Sequence, residues 1–426
     1  MTNMWHNICR STQIKDKNKI QRRKTMTALK TKPEANAQSA PLLPPLSQKS
    51  ERNMGVELFR IVSMVLVILL HVMGHGGVLG YSDRLSDNYL VARFLEALGY
   101  CSVNCYAIIS GFANVKTKFK FRRFIHLWLE TVVLILGITV IAHFFIPSVE
   151  VEKEWWLGAI LPLTRRELWY LCAYFFMYPL IPLINKGLLS ISRWQHILII
   201  VWLQVPTLFK LIMHKDNYNL GGGYSTIWLI CLYVIGAYFR IYGAPKWAKW
   251  FVTLPAFLLS AFAAWFKLIY IEQQADLGLI AKDSVQYQYR DNLVSYVSPC
   301  MVIMAASLLV FFMQIKINAK PLKFIIANLA KTTWGVFVLH VCSAGWYWDE
   351  VWHSFRKFAD FPTWKMVLCS FGAVAAIFLA TSLFTLCKIY LFKLARIDKG
   401  IEYLADLPAK IAARCKKAEP EAKPEA

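Results

Sequence analysis

Long apolar runs recur along most of this chain from residue 56 onward. Each run is roughly 17–25 residues long, which is enough for a helix to cross a bilayer core of about 30 Å. Ten such runs predict ten transmembrane helices, and an even number places both ends of the chain on the same side. The predicted spans are 56–75, 89–112, 124–146, 168–185, 194–213, 225–242, 248–266, 293–315, 324–345 and 365–387.

Two of the predicted spans are irregular. The second contains Arg93 and Glu96 in its first half, and the fourth contains Pro179 and Pro182. Prolines at such positions should kink a membrane helix without ending its passage. The predicted fold class is therefore all-α, with a polytopic transmembrane domain over residues 54–392.

The loops between the predicted spans differ in charge. Loops after even-numbered spans hold thirteen Lys and Arg and no acidic residue, whereas loops after odd-numbered spans hold eleven Lys and Arg and fourteen Asp and Glu. Lys and Arg concentrate on the cytoplasmic side of membrane proteins. The pattern predicts that the even loops and both termini are cytoplasmic, the N-in/C-in arrangement.

Polar segments flank the predicted membrane domain. Residues 1–53 are basic, contain four prolines and show no sustained helical period, which predicts a disordered cytoplasmic tail. No apolar core follows the basic start near residue 10, so a secretory signal peptide is not indicated, and Met26 or Met54 is an alternative start. Residues 393–426 predict a charged cytoplasmic tail.

The overall charge raises the question of an anionic partner. The chain carries a net charge of +22 although 57% of its residues are hydrophobic and 17% are charged. Most of that surplus lies in the even loops and the N-terminal tail, so membrane topology explains it and the predicted partner is the lipid bilayer, not nucleic acid. The ten cysteines form no CxxC pair, so no thiolate metal site is expected.

Ionisable residues inside a membrane span are costly and often functional. The first span contains Glu57, Arg60, His71 and His75. Arg60 and His71 are eleven residues apart, which places them on one helix face to within about 20° and separates them by about 16 Å along the axis. Glu57 is one turn before Arg60 and can pair with it. A snorkelling arginine and a core histidine are the structural alternative, and an HxxxH pair without a third ligand does not predict a metal site.

A basic cluster follows the second span between residues 116 and 123 and includes Arg122 and Arg123. It fits a cytoplasmic anchor, and it fits equally well a phosphate clamp, because the arginine fork matches phosphate oxygens. No GxxxxGK[ST] or GxGxxG motif is present, so a nucleoside triphosphate or dinucleotide fold is not supported.

Four short motifs follow one another along the chain. They are Arg60 and His71 with ten residues between them, Ser110-Gly111-Phe112, Trp169-Tyr170-Leu171, and the run from Gly335 to His340. In this order they resemble the segments of acyltransferase family 3, integral membrane acyltransferases that decorate bacterial surface polysaccharides. The resemblance covers about residues 55–392, which is the whole membrane region. The chain departs from the family pattern at His126, where many members repeat an Arg, and at Glu57, where Asp is more common.

The resemblance implies transfer of an acyl group, usually acetyl, from cytoplasmic acyl-CoA to a carbohydrate hydroxyl across the bacterial inner membrane. It implies His71 as the catalytic residue, and Arg60, Arg122 and Arg123 as residues that bind the acyl donor. The supporting residues implied by the resemblance are Glu57, Ser110, Gly111, Trp169, Tyr170 and His340. Acetyl-CoA would be a substrate, and no permanently bound cofactor or metal is expected.

Two mechanisms and two other functions stay open from the sequence. An imidazole can act as general base on the acceptor hydroxyl or can itself be acylated. A transporter or flippase for lipid-linked sugars would use Arg60 and His71 as charges on a translocation path, and a polysaccharide polymerase is a further alternative. No duplication with paired broken helices is seen, which disfavours a carrier built from internal repeats. A polymerase would have no need for a cytoplasmic phosphate clamp, so the acyltransferase is the favoured hypothesis.

Overall fold

The computed structural model describes most of the predicted membrane domain. The described residues are 52–117, 120–146, 150–164, 168–341, 354–397, 399–400, 402–403 and 406–407. These residues form helices and connecting segments without a strand, which confirms the all-α class. The predicted N-terminal tail, apart from its last two residues, and most of the predicted C-terminal tail lie outside the described residues.

Fifteen α-helices of the described part of the chain have defined bounds. They are α1 (Met54–Met73), α2 (Val78–Tyr81), α3 (Asp87–Tyr100), α4 (Ser102–Asn114), α5 (Phe121–Phe145), α6 (Lys153–Ile160), α7 (Trp169–Met177), α8 (Ile181–Ser190), α9 (Arg193–Met213), α10 (Thr226–Tyr242), α11 (Trp250–Asp276), α12 (Val285–Gln288), α13 (Pro299–Met313), α14 (Lys320–Val341) and α15 (Thr363–Leu394).

Each of the ten predicted spans contains helix, but not all are equally long. Seven helical segments are long and apolar enough to cross a membrane, while α10 and α13 are shorter apolar helices. The second predicted span consists of α3 and α4, which meet at Cys101. The chain is therefore a multi-pass membrane protein, and the number of ten crossings stays a prediction.

The fourth predicted span contains the expected interruption. The α-helix α7 ends at Met177, one 3-10 turn covers Tyr178–Leu180, and α8 begins at Ile181. Pro179 and Pro182 thus break the regular helix while the chain remains helical, as the sequence predicted.

Helix α1 lies at the centre of the bundle. It contacts α3, α4, α13, α14 and α15, and its large side chains such as Phe59, Met64 and Ile68 are fully buried. Asn53 caps its first turn by accepting a hydrogen bond from the Val56 amide at 3.2 Å. A helix surrounded on most sides by others holds its polar side chains at fixed positions inside the protein.

Hydrogen bonds between helix termini identify the two ends of the bundle. At the first, which we call the Arg60 end, Asn53 donates to the Met313 carbonyl at 3.3 Å and Asn185 donates to the Asn114 carbonyl at 2.9 Å. At the opposite end, which we call the Trp169 end, the Thr226 hydroxyl donates to the Ala173 carbonyl at 3.2 Å. Helix α1 runs from the Arg60 end toward the Trp169 end.

Helices α4 and α10 touch through their backbones. A Cβ atom on Gly111 would lie 2.0 Å from the Tyr233 carbonyl oxygen, and one on Gly236 would lie 1.9 Å from the Ile108 carbonyl oxygen. Only glycine permits such an approach, and small residues at helix crossings are typical of membrane bundles. Gly111 therefore packs the helix pair together.

We expect the Gly111→Ala substitution to destabilise the protein by about 1–3 kcal/mol, because a methyl group at this crossing must push two backbones apart. Gly187→Ala is the matched control: Gly187 also lies in a helix, and a Cβ there meets no atom within 4 Å. Thermal unfolding in detergent micelles measures the effect. Equal melting temperatures for the two variants would contradict the close crossing.

Candidate active site

A cavity of about 860 Å³ extends through the centre of the bundle. Its walls include Arg60 and Lys331 toward the Arg60 end, and His75, Trp169 and Tyr296 toward the Trp169 end. This volume is within the range of sites that bind small molecules and cofactors. One continuous space therefore connects the level of Arg60 with the level of His71.

Arg60 and His71 both line this cavity, so the two residues do face the same space, as their spacing predicted. Arg60 forms the expected ion pair with Glu57, with Nη1 and Oε2 3.2 Å apart. The Tyr106 hydroxyl donates to the Arg60 carbonyl at 2.8 Å, which ties α4 to α1 beside the arginine. The side chain of Arg60 keeps 28% of its surface exposed, so its charge is accessible from the cavity.

His71 is hydrogen-bonded to a second histidine from another helix. Its Nδ1 lies 3.0 Å from Nε2 of His340, and Nδ1 of His340 lies 2.6 Å from the Val336 carbonyl oxygen. A carbonyl oxygen only accepts, so His340 carries its proton on Nδ1 and accepts at Nε2 when neutral. His71 must then donate from Nδ1, which makes Nε2 its basic nitrogen.

A third imidazole, that of His75, lies beside this pair. The ring centroids of His71 and His75 are 5.2 Å apart, one helical turn along the cavity wall. Within the described residues, no group of three His, Cys, Asp or Glu side chains has an arrangement that could hold a metal ion. The imidazole of His71 therefore lies between those of His75 and His340.

Three further charged residues, Glu96, Glu130 and Lys331, line the cavity, and none of them was assigned to the site from the sequence. Lys331 on α14 donates to the Asn328 side chain at 3.2 Å, and Glu130 on α5 forms an ion pair with Lys388 of α15. Lys331 and Glu130 both fall inside predicted spans, where ionisable groups are costly. Applying that rule to every span, not only to the first, would have found them.

The basic cluster predicted to bind the acyl donor lies outside the cavity lining. Arg122 pairs with the exposed carboxylate of Glu402. His126 replaces an arginine of the family pattern, and its Nδ1 lies 3.8 Å from Oε2 of Glu130. Lys118 lies outside the described residues. Donor binding by Arg122 and Arg123 therefore stays a prediction.

The remaining predicted site residues divide between the cavity and the packing around it. Ser110 lines the cavity and accepts a hydrogen bond from Asn114 at 3.2 Å, while its neighbour Gly111 packs against α10. Trp169 and Tyr170 both line the cavity, with ring centroids 5.6 Å apart. The structure thus brings Ser110, Trp169 and Tyr170 to the space that holds His71.

The bundle thus contains a central cavity whose lining includes Arg60 and Lys331 together with the imidazoles of His71 and His340. The sequence profile described as an acyltransferase domain, that of acyltransferase family 3, matches residues 53–386. Because the match spans more than half of the chain, the protein belongs to this family. No curated protein and no solved structure matches the chain.

We expect the His340→Ala substitution to lower the acyltransfer rate by at least about tenfold, because His71 loses the acceptor that fixes its tautomer. His340→Gln should recover part of the rate, since the glutamine carbonyl can accept the same hydrogen bond. His196→Ala is the matched control, because His196 is buried and bonded to the Val234 carbonyl at 3.0 Å, outside the cavity lining. Single-turnover kinetics at several pH values measure this effect. A His340→Ala rate equal to that of His196→Ala would contradict the positioning role.

Proposed function

We propose that this protein is a membrane O-acyltransferase that moves an acyl group, with acetyl as the simplest case, from cytoplasmic acyl-CoA to a hydroxyl of an extracytoplasmic polysaccharide or glycolipid. The observation that carries the proposal is the cavity that extends from Arg60 to His71 and on to Trp169. A donor and an acceptor that enter from opposite sides can meet only in such a continuous space. Membership of the acyltransferase family supports the reaction class.

The proposed orientation places the Arg60 end in the cytoplasm. The four basic loops all join helices at this end, as the hydrogen bonds of Asn53 and Asn185 and the donation from Gln314 to the Ala248 carbonyl at 3.1 Å indicate. Lys and Arg favour cytoplasmic loops. The N-in/C-in arrangement across the bacterial inner membrane follows, with the Trp169 end facing outward.

The donor would bind at the Arg60 end. Three cations, Arg60, Lys331 and Lys388, accompany two carboxylates, Glu57 and Glu130, which leaves one positive charge in excess there. Coenzyme A carries several phosphate charges and is confined to the cytoplasm. An excess cation inside a low-dielectric cavity attracts a phosphate far more strongly than one in water does. Lys331 thus joins Arg60 as a candidate donor-binding residue.

In both possible routes, His71 would react through Nε2. In the direct route, Nε2 removes the proton of the acceptor hydroxyl while its oxygen bonds to the carbonyl carbon. The carbon–sulfur bond then breaks, and the departing thiolate takes the proton back from His71. The products are the acyl ester and free coenzyme A.

In the alternative route, His71 carries the acyl group itself. Nε2 bonds to the carbonyl carbon, the thiolate of coenzyme A leaves, and the acceptor hydroxyl then displaces the imidazole. The hydroxyl proton ends on the thiolate, so both routes give the same products. Both need Nε2 to be the unprotonated nitrogen, which is the tautomer that His340 imposes.

We expect the His71→Ala substitution to lower acyl transfer by at least about 10²-fold, because either route loses its reacting group. The measurement is the ester content of surface polysaccharide in cells that carry each variant, with insertion of the protein checked by immunoblot of membranes. Unchanged ester groups in the presence of inserted His71→Ala protein would refute the mechanism. Acid quenching with labelled donor separates the two routes, since only the second leaves label on the wild-type protein.

Arg60→Ala and Lys331→Ala should each weaken coenzyme A binding by about tenfold or more, because each removes a charge-assisted contact to phosphate. Lys249→Ala, an exposed lysine that precedes α11 at the same end, should leave binding unchanged. Equilibrium binding of labelled coenzyme A in detergent, at low and high salt, measures the effect. Equal affinity for coenzyme A in all three variants would contradict a donor site at this end of the cavity.

A further inference from the structure

Four aromatic side chains form a wall at the Trp169 end of the cavity, which we call the aromatic wall: Trp169, Tyr224, Tyr296 and Tyr100. The ring centroid of Trp169 lies 4.5 Å from that of Tyr224 and 6.0 Å from that of Tyr296. Tyr296 in turn lies 5.3 Å from both Tyr224 and Tyr100. All four line the same space as His71, and Tyr224 is the most exposed of them.

The loop before α10 holds Tyr224 against Tyr296. Gly223 has φ of 100°, and a Cβ atom there would lie 2.5 Å from Cβ of Tyr296. Only glycine can combine that backbone conformation with such close packing. The two oxygens of the Asp216 carboxylate accept the amides of Leu220 and Gly221 at 2.9 and 2.7 Å, which fixes the loop. The wall is therefore built in advance of any ligand.

A buried asparagine holds the other side of the aromatic wall. Asn104 on α4, fully buried, donates to the Tyr296 carbonyl at 2.7 Å and accepts from the Trp228 indole at 3.1 Å. A buried amide that satisfies two partners at once is a specific and rigid link. The backbone of Tyr296 is thus fixed by a contact behind the wall, and the residue, of which only 6% is exposed, packs within the cavity lining.

A carboxylate lies next to the aromatic wall. Glu96 on α3 lines the cavity and accepts from Arg93 at 2.8 Å. Arg93 also donates to the Tyr89 hydroxyl at 3.0 Å, and Tyr89 donates to the buried Glu272 at 2.7 Å. This chain of hydrogen bonds keeps the Glu96 carboxylate at the cavity although most of it is buried.

Flat aromatic faces beside a hydrogen-bond acceptor match the chemistry of a sugar ring. A pyranose presents an apolar face of C–H groups, which packs on an aromatic ring, and hydroxyl donors at its rim, which a carboxylate accepts. The wall differs in charge from the Arg60 end, because Glu96 is paired with Arg93 and this pair adds no excess positive charge to attract the phosphates of coenzyme A. An acceptor that is neutral and rich in hydroxyl groups fits both properties.

We propose that the aromatic wall is the acceptor subsite, where Trp169 stacks on a saccharide ring, Tyr296 packs against the Trp169 ring and holds it in place, and Glu96 accepts one of the hydroxyls of the saccharide. The subsite orients a second hydroxyl of that ring toward His71. This inference rests on the proposed function, and it names the residues that select a carbohydrate acceptor.

The test uses inside-out membrane vesicles from the cells that make the protein, supplied with labelled acetyl-CoA. Label is measured in the glycan fraction and, separately, in the lipid and protein fractions. Trp169→Leu and Tyr296→Leu should lower glycan labelling by about fivefold to tenfold, whereas Trp169→Phe and Tyr296→Phe should keep most of it. Glu96→Gln should lower labelling less than the leucine variants do, because its amide oxygen can still accept a hydroxyl.

Trp364→Leu is the matched control, because Trp364 is an exposed tryptophan at the start of α15 and lies outside the cavity lining. Melting temperature and coenzyme A binding in detergent must equal wild type in the leucine variants, which shows that fold and donor site are intact. Loss of coenzyme A binding in Trp169→Leu at an unchanged melting temperature overturns the proposal, because the wall would then belong to the donor site.

Three other results would also be decisive. Glycan labelling by both leucine variants equal to that by Trp364→Leu overturns the acceptor subsite and leaves the acyltransferase intact. Label that the leucine variants lose from the lipid or protein fraction, and not from glycan, assigns the wall to a non-carbohydrate acceptor. Wild-type protein that transfers no label to any fraction refutes the proposed function itself.

Discussion

A charged side chain inside a bilayer has no water to solvate it, so the protein must provide its partners, and this constraint organises the whole bundle. Glu57 pairs with Arg60, Glu130 with Lys388 and Glu96 with Arg93. Each pair includes a residue that lines the central cavity. These polar groups thus line one interior space that the surrounding helices enclose.

The hydrophobic pattern was sufficient to predict an all-α multi-pass protein, because membrane helices must be long, apolar and internally hydrogen-bonded, whereas the number of ten crossings stays a prediction. The common face of Arg60 and His71 was predictable as well, because a spacing of eleven residues returns to the same side of a helix. The pairing of His71 with His340 was not predictable, because it joins helices that are 269 residues apart in the chain. Sequence spacing describes one helix at a time, whereas contacts between helices depend on packing.

The aromatic wall illustrates the same limit. Tyr224 and Tyr296 lie in loops without a recognisable motif, and tyrosines near span ends are expected as interfacial anchors. The two tyrosines are held at the cavity by Gly223, which packs against Tyr296, and by the buried side chain of Asn104. The two partners of Asn104, Tyr296 and Trp228, belong to separate segments of the chain. The basic cluster shows the converse case, since Arg122 is prominent in the sequence yet pairs with Glu402 at the surface. Exposure and partners, which a linear pattern does not encode, decide between these outcomes.

The backbone contact between α4 and α10 limits which helices around the cavity can move. At this crossing the two backbones are in direct contact, so the helices have no room to slide past each other. They therefore form a rigid pair beside the cavity. The fourth span packs directly on this pair, through the hydrogen bonds of Asn185 to α4 and of Thr226 to α7, and the 3-10 turn of Tyr178–Leu180 interrupts it there. We expect bending of the fourth span to be concentrated at that turn, while the glycine crossing keeps its geometry.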